Sequence, residues 1–295
     1  MTEKSRKGSY GNGKGFFFQT KLSEEINMMN GYRSEEVDEP NRYCESIDDT
    51  SRDKVDNYIK RDEDAERYNL SAKCPGSKGG FQMSSLTTER QLKFLVYKLG
   101  FIPENLYHFC YSYFGHVDRR VWREANKAIG VETSKLSENE LRRQRTFGTN
   151  IPKEIKEEIE GFFNENIDAK IAFMDMHLAS GFTSEYADFQ IYHPAKTYEA
   201  IDFESNNFYV VDLNLLRDFC KDWTMKIGKS TTNFGPLNWK VRGGGGKSCT
   251  PTKGSYHNAQ CFSGINKMKK FAGETEAFFK GTLQDAVDFM YDKKK

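Results

Sequence analysis

The chain has 295 residues, which is enough to bury a core as one large domain or as two modest ones. Its hydrophobic fraction of 37% is rich in rings, with 23 Phe and 15 Tyr, and 29% of the residues are charged, so the composition is that of a globular protein. No window approaches about eighteen consecutive apolar residues, and the first residues lack the apolar stretch of a signal peptide. We therefore expect a cytoplasmic protein with no membrane partner.

Charge is segregated along the chain, although the net charge is only +1. Residues 35–66 hold thirteen Asp and Glu against five Lys and Arg, whereas residues 240–295 hold eleven Lys and Arg against five Asp and Glu. This pattern is typical either of a divalent-cation site near a phosphate-binding surface or of plain solvated faces. The six cysteines are scattered without a C-x-x-C pair, so neither a disulfide framework nor a zinc site is predicted.

The first part of the chain predicts a helix, a loop and a hairpin, in that order. Residues 1–15 are rich in Gly, Ser and Lys and are expected to be flexible, and apolar residues at helical spacing then predict a helix from Phe16. Residues 33–52 are polar and acidic without periodicity, which predicts a loop. The segments KVDNYI (54–59) and RYNLSAK (67–73) predict two strands of a β-hairpin.

The middle of the chain predicts helices followed by strands. Residues 86–147 predict several short helices with aromatic faces. An apolar stripe after Pro152 predicts one long helix that ends at Gly181. The period then changes to two, which predicts strands over 187–193, 197–203 and 207–213.

The end of the chain predicts a helix over 215–223, short strands within 228–266 and a final helix over 273–291. Because helices and strands are interleaved, the sequence predicts a mixed fold of the α/β or α+β class. The pattern changes near residues 86 and 150, which suggests four parts: a flexible N-terminus (1–15), a first core part (16–85), a helical DNA-recognition insertion (86–150) and a core completion with DNA-contacting loops (151–295).

The predicted hairpin brings together the residue types that phosphodiester hydrolysis requires. In RYNLSAK the period of two places the apolar residues on one face and Ser71 and Lys73 on the other, and the partner strand offers Asp56. A carboxylate and a second oxygen ligand hold Mg²⁺, while a lysine orients water and neutralises charge on phosphorus. The hairpin therefore favours a metal-dependent phosphodiesterase, with a plain surface hairpin as the alternative.

The order of a first helix, Asp56, a hairpin ending in S-x-K and a Gly-rich turn resembles the PD-(D/E)xK core of type II restriction endonucleases. FFFQTKLSEEIN resembles the family's first helix, SAKCPGSKGGFQMSSLTTER resembles the stretch after the catalytic lysine, and LNWKVRGGGGKSCT resembles a later segment of a subset of these enzymes. The resemblance spans roughly residues 16–270. It implies a restriction-endonuclease-like mixed sheet flanked by helices with a mainly helical insertion, Mg²⁺-dependent cleavage of both strands of double-stranded DNA, and a homodimer.

The resemblance also implies roles for the hairpin residues. Asp56 and Ser71 would hold Mg²⁺ and Lys73 would orient the attacking water, but Ser71 stands where the family usually has Glu, and Gln19 stands where the first helix often has Glu. Each departure removes a negative charge, so we expect Glu25 to complete the metal site with Gln19 nearby. Glu25 lies about 60° from the apolar stripe of the helix, whereas Glu24 points to solvent.

Cations elsewhere are candidates for contact with DNA. The Gly run near residue 245 does not fit a P-loop, because Val241 stands where the motif needs its first Gly, so no nucleotide cofactor is expected. The Gly run is typical of a loop that approaches phosphates or of a plain turn. In another part of the chain, Gln82 is expected near the scissile phosphate. Further candidates for phosphate contact or base reading, with helix solubility as the alternative, are Lys240, Arg242, Lys247, Arg119, Arg120, Arg123, Arg142, Arg143 and Arg145.

Other polar residues are expected to be structural. Asp188 and Glu199 form a second carboxylate pair, but no lysine follows two positions after Glu199, and the five histidines show no ligand spacing. The sequence therefore predicts a Mg²⁺-dependent, sequence-specific DNA endonuclease. Two alternatives stay open: a nucleic-acid-binding protein without catalysis, and a structure-directed repair nuclease.

Overall fold

The computed structural model describes residues 18–36, 56–62, 67–73, 81–85, 88–180, 186–195, 200–241, 259–272 and 276–292. The chain divides into two compact units. Unit 1 takes residues 1–81, 175–219 and 264–295, and unit 2 takes residues 82–174 and 220–263. Among the described residues, no helix combines the length and apolar character needed to cross a membrane.

Unit 1 is built on a mixed sheet of six strands in the order β1-β2-β3-β5-β6-β11. The strands are β1 (Tyr32–Glu36), β2 (Asn57–Arg61), β3 (Arg67–Lys73), β5 (Phe189–Tyr192), β6 (Phe208–Asp212) and β11 (Phe278–Gly281). Strands β3 and β5 run parallel, and the other neighbouring pairs run antiparallel. The predicted hairpin is confirmed, since β2 pairs with β3 in the register Asn57 opposite Leu70.

Helices α1 (residues 18–28) and α10 (Leu283–Asp292) pack on this sheet. Unit 1 also contains α8 (Leu213–Cys220) and α9 (Ile265–Ala272). The apolar stripe of α1 and the buried side of α10 share one core with the apolar face of β3, where Leu70 is fully buried. Burial of these side chains, each contributing about 1.5–3 kcal/mol, holds α1 and α10 on the sheet. The predicted mixed fold, a mixed sheet flanked by helices, is confirmed.

Unit 2 contains a five-stranded sheet in the order β4-β10-β9-β8-β7. Its strands are β4 (Phe81–Ser85), β7 (Met225–Ile227), β8 (Thr231–Phe234), β9 (Leu237–Val241) and β10 (Ala259–Ser263). Its helices are α2 (Thr88–Leu99), α3 (Glu104–Tyr113), α4 (Arg119–Ala128), α5 (Glu138–Arg143), α6 (Lys153–Glu165) and α7 (Ile167–Met174). The described residues 88–143 form short helices, as the apolar spacing predicted, and unit 2 combines them with this sheet. The ring of Trp239 is fully buried, and its centroid lies 4.4 Å from the ring centroid of Phe114 and 5.1 Å from that of Phe173.

Two predictions of strand and loop were wrong. Residues 32–36 form an edge strand that pairs with β2, where a loop was predicted. This strand is short and rich in charged residues, so its sequence does not alternate between apolar and polar residues. The alternation is seen in the structure, where Tyr32 and Ser34 are buried and Arg33 between them is exposed. Conversely, the described residues 200–203 of the predicted strand 197–203 form turns and irregular backbone.

Two helix predictions were wrong in extent. The predicted long helix is two helices, because Asn166 leaves the helical conformation and its Oδ1 accepts from the backbone N of Ala169 at 3.1 Å to begin α7. The predicted final helix begins only at Leu283, after β11. There Thr282 Oγ1 accepts from the backbone N of Asp285 at 3.1 Å, which caps α10.

Candidate active site

Asp56 directly precedes β2 and continues the hairpin by one residue. Its backbone N donates to the carbonyl O of Leu70 at 2.7 Å. This bond fixes the backbone of Asp56 beside the last residues of β3, where Ser71 and Lys73 lie. The hairpin register therefore brings residues fifteen and seventeen positions apart in the sequence to one place.

The Asp56 carboxylate accepts hydrogen bonds from four donors. Gln19 Nε2 donates to Oδ1 at 2.6 Å. The backbone N of Ala72 and the Nζ of Lys73 donate to Oδ2 at 2.8 and 2.9 Å, and Ser71 Oγ lies 3.3 Å from the same oxygen. We call Gln19, Asp56, Ser71 and Lys73 the Asp56 cluster. It contains four of the five predicted catalytic residues, three from the hairpin and one from the first helix.

The cluster is shielded but not sealed. The side chains of Lys73 and Asp56 keep 17% and 16% of their exposure, so a ligand can reach them while bulk water is largely excluded. Ser71 is fully buried, although it lies on the face of β3 opposite the apolar core. Both faces of β3 are thus covered, which is contrary to the alternative of a plain surface hairpin.

Asn57 holds α1 against the hairpin and was missed by the sequence analysis. Its Nδ2 donates to the carbonyl O of Gln19 at 3.0 Å and to Ser23 Oγ at 2.7 Å, and the residue is fully buried. These bonds fix the position of Gln19 relative to Asp56. The available signal was a break in alternation, since Asn57 occupies an inward position of β2 that a strand normally fills with an apolar residue.

Glu25 is placed apart from the cluster. It follows Gln19 by six residues on α1, which turns its side chain by about 120° around the helix. Within the described part of the chain no recorded contact joins Glu25 to Asp56, and Glu24 pairs with Lys21. The Asp56 cluster is therefore assembled without either glutamate, and the compensating role of Glu25 stays a prediction.

The donor set fits a hard divalent cation. The cluster offers one carboxylate and the hydroxyl of Ser71, and Mg²⁺ prefers such oxygen ligands while it keeps several waters. In the described residues no three His, Cys, Asp or Glu side chains converge as a metal site. A single carboxylate of this kind gives a weak site that substrate phosphate oxygens would complete.

His193 is a titratable residue next to this cluster. Its backbone N donates to the carbonyl O of Lys73 at 3.3 Å. Burial lowers the pKa of the His193 imidazole, against smaller raising effects from Asp202, and its Nδ1 accepts from the backbone N of Ala195. The imidazole ring itself packs on Phe208, with ring centroids 4.9 Å apart, so only the backbone of His193 contacts Lys73.

The arginines predicted to read DNA lie in unit 2 and differ in exposure. Arg119 and Arg120 are exposed on α4, Arg142 is exposed on α5, and Arg143 is half-buried. Arg145 is buried, and its guanidinium donates to the carbonyl O of Tyr113 at 3.0 Å and to that of Ser230 at 2.6 Å. Arg145 thus ties the backbone of unit 2 together, and its position does not support the expected role in base reading.

The remaining candidates are less informative. Gln82 lies in β4 of the unit 2 sheet, and Lys240 is half-buried on β9. Arg242, Lys247 and Glu199 lie outside the described residues. Asp188 has the structural role that was expected, because its Oδ2 accepts from the backbone N of Asn69 at 2.9 Å.

Comparison with known proteins adds little to this description. No protein-family model matches the chain, and no curated protein matches it. Among solved structures, the restriction endonuclease MspI in complex with its cognate DNA is similar, with a TM-score of 0.40 and 11% identity. The similarity covers 83% of this chain and 76% of that one. We draw no functional conclusion from a likeness at this level.

Proposed function

We propose that this chain is a nuclease that hydrolyses phosphodiester bonds of double-stranded DNA in a Mg²⁺-dependent, sequence-specific manner, acting as a homodimer. The observation that carries the proposal is the Asp56 cluster. The Asp56 carboxylate lies within 2.6–3.3 Å of donor atoms on Gln19 from α1 and on Ser71 and Lys73 from β3. These are the residue types that the sequence alone predicted for this chemistry.

Lys73 supplies positive charge where a phosphodiester would react. Its ammonium donates to Asp56 Oδ2 at 2.9 Å and to the carbonyl O of Ala72 at 3.3 Å, which leaves a third N–H for a phosphate oxygen or the attacking water. Positive charge fixed in a shielded site stabilises the charge that develops on phosphorus. This geometry supports the proposal that Lys73 orients the attacking water and stabilises the transition state.

Asp56 holds Lys73 in place and offers oxygen to a cation. The backbone N of Ala72 and the amide of Gln19 fix the carboxylate plane, so the carboxylate is oriented before substrate arrives. A Mg²⁺ ion held by Asp56 and Ser71 would supply Lewis-acid polarisation of the phosphate and a more acidic bound water. We keep one such ion in the proposal, since the cluster contains one carboxylate.

The test is digestion of a mixed-sequence DNA with the purified chain, in Mg²⁺ and in EDTA. We expect discrete fragments in Mg²⁺ and intact DNA in EDTA. Lys73→Ala is expected to lower the cleavage rate by about a hundredfold or more, which is the usual effect of removing one charge-stabilising donor. Lys60→Ala, at an exposed position of the same hairpin, is the matched control and should cut like the wild type.

Other outcomes separate the alternatives. A smear in place of discrete bands indicates a structure-directed nuclease, and DNA binding without any cutting indicates a binding protein. An active Lys73→Ala protein would remove the Asp56 cluster from the mechanism. Sedimentation equilibrium of the protein on uncut duplex tests the homodimer.

A further inference from the structure

Helix α4 of unit 2 carries a row of unpaired cations. Arg119, Arg123 and Lys127 follow one another at intervals of four residues, so their side chains lie along one side of the helix about 6 Å apart. All three are exposed. Among the described residues no ion pair or hydrogen bond is recorded for any of the three side chains. We call these residues the α4 row.

The neighbouring position provides a built-in contrast. Arg120 is also exposed, but its Nε lies 3.6 Å from Glu124 Oε1 in an i,i+4 pair. A carboxylate thus lies beside Arg120, whereas no ion pair joins the α4 row to any other described residue. Trp122, Ala125 and Asn126 of α4 are buried, so the helix is fixed in its orientation and the α4 row stays at the surface.

The position of the first cation is also unfavourable for the helix itself. The first turn of α4 carries Arg119 and Arg120, and the carboxylate at this end is that of the N-cap residue Asp118, whose Oδ1 accepts from the backbone N of Arg120 at 2.7 Å. Cations at a helix N-terminus face the positive end of the helix dipole and are disfavoured there. Asp118 offsets part of this repulsion, and an anion bound by the α4 row would offset more of it.

We propose that the α4 row binds consecutive phosphates along one strand of DNA. The row spans about 12 Å with a cation about every 6 Å, which suits a polyanion with charges at regular short intervals. Contacts of this kind fix a duplex without reading its sequence. This inference rests on the proposed function, since it takes DNA as the ligand, and it assigns to α4 a non-specific anchoring role separate from cleavage.

The test uses the salt dependence of DNA binding. The full chain, in EDTA to prevent cutting, is titrated against a fluorescently labelled duplex of mixed sequence at several KCl concentrations. Each phosphate contact contributes about 0.9 to the slope of log K against log [salt]. The triple variant Arg119→Ala/Arg123→Ala/Lys127→Ala is therefore expected to lower the magnitude of the slope by about 2.7 and to weaken binding tenfold or more near 0.1 M salt.

Two further variants sharpen the result. Arg120→Ala removes a charge from the same helix and should change the slope by less than half as much per residue, because that charge is already paired. Arg119→Lys/Arg123→Lys keeps the charges and should keep both slope and affinity, since a phosphate contact needs charge and not the forked guanidinium. Circular dichroism confirms that each variant is folded.

The outcomes are decisive in both directions. A triple variant with the wild-type slope and affinity overturns the inference, and if that protein still cuts DNA the proposed function stands. Loss of affinity in the lysine double variant with an unchanged slope also overturns it, because the arginines would then read base edges. A wild-type chain that neither binds nor cuts DNA removes both proposals together.

Discussion

At the residue scale, the amide of Gln19 is the most informative member of the Asp56 cluster. Its Nε2 donates to Asp56 Oδ1 at 2.6 Å, whereas a glutamate at this position has no donor to offer when ionised. Gln19 therefore stabilises the cluster in the absence of a cation at the cost of one negative charge. A carboxylate here trades stability of the metal-free protein for affinity toward a cation.

Gln19→Glu is therefore expected to have opposite effects with and without Mg²⁺. In EDTA the new carboxylate faces Asp56 Oδ1 and loses a hydrogen bond, which should lower the free energy of unfolding by about 1–3 kcal/mol. Mg²⁺ should restore this loss and raise Tm more for the variant than for the wild type, because ligand binding to the folded state stabilises it. Thermal unfolding in EDTA and in Mg²⁺ measures both effects.

The control for this prediction is Met28→Glu. Met28 is 71% exposed on the same helix, so the variant adds the same charge away from Asp56. It should shift Tm little, and equally in both buffers. A Gln19→Glu protein whose Tm does not respond to Mg²⁺ more than this control argues against cation binding at the cluster.

At the element scale, α5 depends on one buried carboxylate. Glu140 accepts from Ser137 through Oε2 and from the backbone N of Phe147 and the Nδ2 of Asn150 through Oε1, at 2.6–3.0 Å. Burial alone would raise the pKa of Glu140, but these hydrogen bonds outweigh it and hold the pKa below its usual value. The ionised carboxylate thus anchors a helix of only six residues to the loop that follows.

Glu140→Gln should cost stability in a pH-dependent way. A carboxyl with a depressed folded-state pKa contributes its stability above its unfolded pKa of about 4.3, and this is lost as pH falls through the folded value. We expect the variant to lose about 1–3 kcal/mol at pH 7, and the difference from wild type to shrink below about pH 4. Urea unfolding at both pH values checks this, with exposed Glu138→Gln as control. A pH-independent difference would contradict the assigned role of the charge.

The break between α6 and α7 is a second prediction at this scale. Because Asn166 Oδ1 caps α7, Asn166→Ala should cost about 1 kcal/mol, whereas Asn166→Asp keeps the acceptor and should keep the stability. Urea unfolding of the two variants gives the comparison. Equal losses in both would show that the side-chain oxygen does not stabilise the helix start.

Elements with strong periodicity were predictable from the sequence, and elements set by tertiary pairing were not. The apolar face of β3 and the stripe of α1 follow directly from spacing, and they position Asp56, Ser71 and Lys73 as expected. Edge strand β1 escaped because its pairing with β2 stabilises polar residues that have little strand preference of their own. The break between α6 and α7 at Asn166 was not predicted, because apolar residues continue at helical spacing on both sides of Asn166.

At the scale of the whole molecule, the site depends on parts of the chain that are far apart in sequence. Unit 1 combines the N-terminal hairpin with residues 264–295. In α10, Tyr291 Oη donates to the carbonyl O of Ile59 in β2 at 3.1 Å, and Asp288 accepts from Tyr32 in β1 at 2.6 Å. The last helix therefore holds β1 and β2 together, and Asp56 directly precedes β2.

Deletion of residues 283–295 is consequently expected to abolish cutting without removing any residue of the cluster. The deletion exposes core that Leu283, Val287 and Met290 now cover, all almost fully buried. At about 1.5–3 kcal/mol each, these side chains account for about 5–9 kcal/mol, which is comparable with the whole stability of a typical domain of about 5–15 kcal/mol. Circular dichroism should show a larger loss of signal than the deleted helix explains.

The matched control lies on the exposed side of the same helix. Gln284 is exposed, and its hydrogen bond to Asp288 is at the surface, so Gln284→Ala should change stability by less than about 0.5 kcal/mol. Met290→Ala, which removes one buried side chain, should fall between the two at about 2–5 kcal/mol. A truncated protein that melts cooperatively and still cuts would show that β1, β2 and β3 hold the Asp56 cluster without α10, and would place the stability of the site within the sheet alone.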